Sequence, residues 1–348
     1  MLYINTDNLL YVHVGIKSIK YETFCFSFTA YLFRCFLPKK KKPLFVSVVY
    51  KSCTAPDHFL LVKPTSPARG SYPVQFTVCL MPLYFNYSRG YELVEWIELN
   101  RILGAERFTV YVQSSADNVE TILTYYEQQE LVELVRWPLP VGKDEIHYFG
   151  QVLALQDCLY RNRATSEYVV NLDLDEFVVP HREDLYSWKD IVANRSIPTL
   201  SFIFKNTFFR KEWLKTNGHN FTGKEIALEF KLVTLLLNEH ETKEFPYGHR
   251  SKYFAKTSQA DYLMIHEVKG KGKSVFVPSD VALLHHYRNG FDYTAVPKMK
   301  DDTVIHKYGK TLLRNVQNTC KQLPNVSLGR PEDTFNTIHT GMKNNSNE

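Results

Sequence analysis

Between residues 74 and 172 the chain alternates strand-like and helix-like segments, and this rhythm restricts the fold more than any other feature. Val74 to Leu80 (VQFTVCL) reads as a strand. Tyr91 to Leu103 follows as a helix that is apolar nearly all round, with Leu93, Trp96, Ile97, Leu99 and Ile102, closed by Gly104. Phe108 to Val112 is a second strand. The next helix opens at Asp117 with Glu120 three residues on, the pattern of a capping box, and carries Val119, Ile122, Leu123 and Tyr126 at helical spacing. Leu131 to Trp137 is a third strand, Tyr148, Val152, Leu155 and Leu159 mark a third helix, and Tyr168 to Leu172 (YVVNL) is a fourth strand. The alternation predicts an α/β fold with a mostly parallel central sheet flanked by helices. Such sheets bind ligands outside the carboxyl ends of their strands, near a switch in strand order.

Outside this region the sequence is less regular. Leu44 to Tyr50 reads as a buried strand, and residues 51 to 73, with Pro56, Pro64, Pro67, Gly70 and Pro73, read as a loop or linker. From Asn318 the chain turns polar. The 348 residues therefore divide into an N-terminal segment at 1–43, one large domain at 44–317 and a polar tail at 318–348. A hydrophobic content of 44% supplies a core and excludes a disordered or collagen-like chain. The net charge of +5 is too mild to argue for a nucleic-acid partner. The 22 Tyr and 23 Phe fit either a large core or a sugar-stacking surface.

The compartment is read from cysteines, glycosylation sequons and the N-terminus. None of the six cysteines forms a CxxC pair, so zinc-ribbon and thioredoxin readings have no support. The even count permits disulfides, and five Asn-x-Ser/Thr sequons, at Asn86, Asn194, Asn220, Asn325 and Asn344, are compatible with a secretory location. Phe24 to Leu37 is a candidate weak membrane anchor. It is shorter than the ~20 apolar residues a spanning helix needs, and Arg34 interrupts it. Lys39 to Lys42 on its far side would favour a cytoplasmic C-terminal side, in conflict with a lumenal domain.

Two constellations carry chemistry. The fourth strand ends in Asn171-Leu172-Asp173-Leu174-Asp175-Glu176-Phe177. Carboxylates at i and i+2 leave a strand on one side, and at its carboxyl end they face the ligand crevice. Mg²⁺ or Mn²⁺ is held by one or two such carboxylates together with substrate phosphates. An acidic cap on the following turn is the bland alternative. The second constellation is Leu284-His285-His286-Tyr287-Arg288. An imidazole there could complete a metal shell and Arg288 could meet phosphate as a fork. Adjacent strand residues point to opposite faces, so only one of the two histidines should ligate. His266 is a further, lone candidate.

The chain resembles glycosyltransferase family 92, most of all its nematode members. The resemblance runs from about residue 44 to 310 and rests on the order of short blocks. These are Cys79-Leu80-Met81-Pro82-Leu83, Glu95-Trp96-Ile97-Glu98 with Leu103-Gly104-Ala105, and Tyr126 with Trp137-Pro138. His147-Tyr148-Phe149-Gly150-Gln151 and Asp157-Cys158-Leu159-Tyr160-Arg161 come next. Asp173-Leu174-Asp175-Glu176-Phe177, Arg250-Ser251-Lys252-Tyr253 and His285-His286-Tyr287-Arg288 complete the series.

The resemblance implies a GT-A type fold, a divalent metal (usually Mn²⁺), a UDP-sugar donor and a glycan or glycoprotein acceptor, with galactose transferred from UDP-galactose with inversion. It implies Golgi membrane association by a single-pass anchor, which the weak N-terminal segment puts in doubt. Asp173 and Asp175 with His286 or His285 would hold the metal. Lys252 and Arg288 would meet the diphosphate, and Gln151 and Asp157 would face the donor. An inverting transfer also needs a base for the acceptor hydroxyl, for which Glu225, Glu229, Glu239, Glu241 and Asp261 are unranked candidates. The run Phe202 to Trp213 follows the nematode pattern only loosely, which leaves acceptor choice open. A catalytically silent glycan-binding relative is the alternative function. A phosphoesterase is disfavoured, because no second carboxylate and histidine cluster of the kind a two-metal site needs is visible.

Overall fold

The computed structural model describes residues 2–6, 8–12, 14–18, 26–35, 43–49, 55–68, 70–142, 144–193, 198–214, 220–289 and 298–328. The expected alternation is present. Strand β1 (Val74–Leu83) leads into helix α1 (Gly90–Leu103), then β2 (Arg107–Val112), α2 (Asp117–Gln128), β3 (Val132–Arg136), α3 (Gln151–Arg161) and β4 (Ser166–Asn171). After β5 (Glu176–Pro180) the chain adds β6 (Thr199–Phe204), β7 (Asn206–Arg210), β8 (Glu239–Glu241), β9 (Lys252–Lys256), β10 (Lys273–Val277), β11 (Ala282–Arg288) and β12 (Met299–Asp301). Helix α4 (Gly309–Gln322) follows.

The central sheet has seven strands in the order β10-β6-β9-β4-β1-β2-β3. All neighbours pair in parallel except at β9, which runs against both β4 and β6. This is the mostly parallel α/β sheet flanked by helices that the sequence predicts. Its central strands are buried on both faces, which is why YVVNL is nearly continuously apolar, while in VQFTVCL the buried Thr77 is satisfied by the Ser166 hydroxyl at 2.7 Å. The register of β1 on β2 shifts between Leu80 and Leu83, around Pro82, a residue with no N–H to give the ladder. A smaller sheet, β5-β11-β7, and the ribbon β8-β12 lie downstream of the acidic motif.

Helix α1 is buried nearly all round because α2 and α4 pack on it and β5 lies beneath it. Gly104 ends it with φ at 132° and donates its N–H to the carbonyls of Asn100 and Arg101. Three local expectations shift. Ala116, not Asp117, caps α2, and Asp117 and Glu120 instead place negative charge in its first turn. Tyr148 precedes α3 in a left-handed turn rather than belonging to it. The polar tail expected from Asn318 begins later, since α4 runs through to Gln322 and Val326 and Leu328 pack on the core.

The N-terminal strands Leu2–Thr6 and Asn8–Val12 pair with Phe45–Val48, and Val14–Ser18 pairs with Tyr31–Cys35. The anchor candidate at Phe24 to Leu37 lies partly outside the described residues, and its described part holds the strand Tyr31–Cys35. No helix among the described residues is long and apolar enough to cross a membrane.

A disulfide joins Cys79 of β1 to Cys158 of α3, whose Cα atoms are 6.2 Å apart across a sequence separation of 79. It ties the helix that follows β3 back onto the middle of the sheet. Closing a loop of that length restricts the unfolded chain strongly. Cys158→Ser should therefore cost about 2–5 kcal/mol, and guanidinium unfolding of the variant beside the oxidised parent checks it.

Candidate functional site

Strand order switches at β1. Strands β2 and β3 are added on one side of it and β4 on the other, so the crevice lies between the carboxyl ends of β1 and β4. The acidic motif leaves β4 into this crevice. Its backbone is fixed from three directions. Trp96 of α1 donates its indole N–H to the Asp173 carbonyl at 2.8 Å, and the Glu176 N–H donates to the same carbonyl at 3.1 Å. The Tyr287 N–H donates to the Asp175 carbonyl at 2.8 Å. With the turn held this way, both side chains stay partly open, Asp173 at 39% and Asp175 at 30% exposure.

Lys252 reaches the motif from β9, the strand that runs against the sheet. Its ammonium is 2.8 Å from Asp173 Oδ2 and 3.1 Å from Glu176 Oε2. Burial opposes its charge, yet the two carboxylates hold its pKa well above the ordinary lysine value. Glu176 is pushed up to about 7. Burial is the main cause, with Asp173 and Asp175 adding to it and Lys252 and His286 pulling back.

The histidine pair separates as strand geometry requires. In the register of β5 on β11, His286 lies opposite Glu176 and His285 opposite Phe177. His286 Nε2 is 3.3 Å from Asp175 Oδ2. Its Nδ1 lies 3.4 Å from Glu176 Oε1 and 3.1 Å from Asn206 Nδ2. His285 faces the other way, fully buried and stacked on Phe209 at 4.5 Å, so it cannot share a metal with the acidic motif. His266 gives its Nδ1 to the Ser251 carbonyl region at 2.9 Å, and burial next to Lys252 lowers its pKa to about 4. It is partly exposed and lies near both Lys252 and Asp173.

Arg288 shares the face of His286, two residues on, with its guanidinium 5.2 Å from the Phe208 ring centre. Burial opposes ionisation of Asp175, but His286, Lys211 and Arg288 together hold it well below the usual carboxylate range. Lys211 and Arg89 belong to a network centred on Glu92 of α1. Lys211 Nζ is 3.0 Å and Arg89 Nε 3.2 Å from its carboxylate, and the Tyr87 hydroxyl donates to it at 2.8 Å. The acidic pair is thus bordered by cationic groups, the arrangement a diphosphate would need.

The two expected donor-facing residues of α3 fare differently. Gln151 opens the helix, directly after Gly150, whose φ of 77° and close approach to Leu139 suit only glycine. Asp157 sits about 9 Å further along the helix axis. There it accepts the Tyr111 hydroxyl at 2.6 Å and Arg161 Nε at 2.8 Å, so it braces the helix rather than facing the crevice. Sequence reasoning missed the aromatic cluster beside Gln151. Tyr84 stacks on Phe149 at 4.4 Å, and Phe85 meets both edge-on. Phe85, Asn86, Tyr148 and Phe149 all have positive φ, an uncommon conformation for residues with side chains, gathered here at the crevice mouth.

Of the carboxylates named for the base, Glu241 is buried against Arg210. Glu225 and Glu229 are exposed positions of the Lys224–Glu229 helix, and Glu239 lies opposite Asp301 in the ribbon register. Asp261 lies on the Ala260–Leu263 strand, where its carbonyl accepts the Tyr160 hydroxyl. Also missed were Glu92 and the burial of two further acids of α1, Glu95 and Glu98. Glu98 pairs with Arg101 and Tyr126, and Glu95 accepts hydrogen bonds from the Val233 and Thr234 backbone and the Thr234 hydroxyl.

Residues 74–344 match the family model of Glycosyltransferase family 92, and the chain belongs to that family. Over 230 residues it is 33% identical to Beta-1,4-galactosyltransferase galt-1 of Caenorhabditis elegans, covering 55% of this chain and 53% of that protein. Over 146 residues it is 25% identical to a glycosyltransferase family 92 protein of Ricinus communis, covering 42% and 24%. The chain thus spans about half or less of the length of these relatives. Among solved structures, S. aureus TarS 1–349 in complex with UDP-GlcNAc is 10% identical at a TM-score of 0.30, covering 74% of this chain and 68% of that one. Glucosyl-3-phosphoglycerate synthase from Mycobacterium tuberculosis, with Mn²⁺ and UDP, is 13% identical at 0.28, covering 72% and 79%.

Two stability measurements test this electrostatic arrangement. Lys252→Met leaves Glu176 buried without its cation and should cost about 3–5 kcal/mol in urea unfolding. Burial raises Glu95 to about 7, against the pull of its Thr234 and Val233 donors. The stabilisation from its protonated form is complete below the unfolded value of ~4.3 and is lost as pH climbs to about 7. Over that interval Glu95→Gln should gain on the parent by on the order of 3 kcal/mol in pH-resolved denaturation.

Proposed function

We propose that this chain is a metal-dependent, inverting glycosyltransferase that moves a hexose, galactose from UDP-galactose first among them, onto a glycan acceptor. The observation that carries the proposal is the acidic pair Asp173/Asp175 at the switch point of the sheet, with His286 3.3 Å from Asp175 and cationic side chains around it. The C. elegans relative, by its name a galactosyltransferase, supports the donor sugar.

The donor set fits a divalent cation. Two partly open carboxylates and one imidazole offer the oxygen and nitrogen that Mn²⁺ accepts; Asp175 and His286 meet at 3.3 Å, and Asp173 leaves the same turn at the carboxyl edge where a diphosphate would enter. Asp173, Asp175 and His286 would hold the ion, which when bound offsets negative charge on the leaving nucleotide diphosphate. Arg288 and Lys211 add positive charge around Asp175, and Lys252 holds the Asp173 carboxylate in place by a 2.8 Å hydrogen bond. The Tyr84 and Phe149 rings offer a flat apolar surface for the nucleobase, with Gln151 opening α3 two residues after Phe149.

A Golgi-membrane location in the secretory pathway belongs to the same proposal. The Cys79–Cys158 disulfide supports an oxidising compartment, and the sequons at Asn86, Asn220 and Asn325 are exposed.

The test is transfer or donor hydrolysis with UDP-galactose and Mn²⁺, run beside Asp175→Ala. Turnover should need the metal and fall by at least ~10²-fold in the variant. Equal turnover in the variant would remove Asp175 from the site. Retained glycan binding with no turnover on any nucleotide sugar would favour a silent relative.

A further inference from the structure

The face of β11 opposite the catalytic crevice holds a second convergence of ligand-type atoms. His285 Nε2 is 2.7 Å from His181 Nε2, and His181 follows directly on β5. Asp302, directly after β12, brings its Oδ2 to 3.5 Å from His285 Nε2, 3.6 Å from His181 Nε2 and 3.7 Å from His240 Nε2. Three separate segments thus bring the ligand atoms of His181, His285 and Asp302 together, and His240 of β8 reaches the same Asp302 oxygen from its other side. His240, His285 and Asp302 are buried, and His181 is nearly so. Asp302 Oδ2 is a buried oxygen with no hydrogen-bond partner.

The surrounding hydrogen bonds select the lone pairs. His240 Nδ1 lies 2.6 Å from the Glu241 carbonyl, which can only accept, so Nδ1 carries the proton and Nε2 presents a lone pair. His285 Nδ1 faces the Tyr287 hydroxyl at 3.3 Å, which leaves its Nε2 to the cluster. Asp302 spends its other oxygen, Oδ1, on the Val304 N–H at 3.0 Å. The 2.7 Å contact between His181 and His285 is closed by one proton, which a bound ion would displace, whereas Asp302 Oδ2 is a buried acceptor with no donor, a costly state unless a positive centre meets it.

We infer that His181, His285 and Asp302 form a buried site for a divalent transition metal, zinc by its chemistry. Two imidazoles and one carboxylate converge there, and bonds of about 2.0–2.2 Å place neighbouring ligand atoms about 3.3–3.5 Å apart. The Asp302 separations from His181 and His285 already lie near that value, and the His181–His285 separation needs to open by about 0.6 Å. Burial of His285 and Asp302, on the face of β11 away from the acidic pair, marks a structural site rather than a catalytic one. The ion clamps the β8-β12 ribbon to the β5-β11-β7 sheet, directly behind the strand that carries His286 and Arg288. The inference stands independently of the glycosyl-transfer proposal.

Metal analysis of the full chain tests it. After purification with zinc and exhaustive dialysis, the parent should retain about one equivalent of zinc. His181→Gln and Asp302→Asn, both close in size to the originals, should lose it. Asp173→Ala and Asp175→Ala should keep it, which separates this site from the acidic pair. Cobalt substitution should give the visible absorption of a tetrahedral ion, and chelation should lower Tm by on the order of 10 °C. A folded parent holding no tight zinc would overturn the inference, as would His181→Gln and Asp302→Asn proteins that hold as much as the parent. So would a Tm indifferent to chelator and zinc.

Discussion

The arrangement hinges on one buried ammonium. Lys252 lies on β9, the strand that breaks the parallel run of the sheet, and its charge is sunk between Asp173 and Glu176. A lysine so deeply buried is tolerated only because two carboxylates meet it. In return it fixes where the acidic turn leaves β4. From that anchored turn β5 runs on, β11 pairs with β5, and His286 arrives beside Asp175. The antiparallel strand is therefore the element that aligns the acidic motif with the late histidine.

Much of the scaffold was legible in the sequence because strand and helix periods are local properties. VQFTVCL and YVVNL announce buried parallel strands, and the Val119–Tyr126 spacing announces α2. The acidic motif was legible for the same reason, since a strand ending in Asp173-Leu174-Asp175 needs no tertiary information to place it at a crevice. The choice between His285 and His286 was not. Alternation says that the two part company, but which faces Asp175 depends on pairing with a strand a hundred residues earlier. Asp157 shows the limit from the other side. It shares a sequence block with Gln151, yet six residues of helix carry it away from the crevice to Tyr111 and Arg161.

The cationic border was harder to see. Lys211 and Arg89 reach the site through Glu92, a carboxylate on a helix whose pattern looks simply apolar. Three acids on α1, at Glu92, Glu95 and Glu98, are buried because each finds donors contributed by distant parts of the chain. Composition and periodicity register such residues as exceptions to a helix face, whereas only the assembled fold shows them as its electrostatic joints. The aromatic surplus divides likewise: Trp96, Phe108 and Tyr126 are core, and Tyr84, Phe85 and Phe149 line the crevice mouth.

Strand β11 is read from both sides, His285 into one cluster and His286 into the other. Its two-residue repeat makes the chain length between Pro278 and His285 a matter of parity. Removing one residue there would present each imidazole to the wrong side and disable both clusters at once, while leaving the composition almost unchanged. Removing two would return each face to its own side with a shifted register. Chains descended from this one should therefore tolerate even length changes ahead of the paired histidines far better than odd ones.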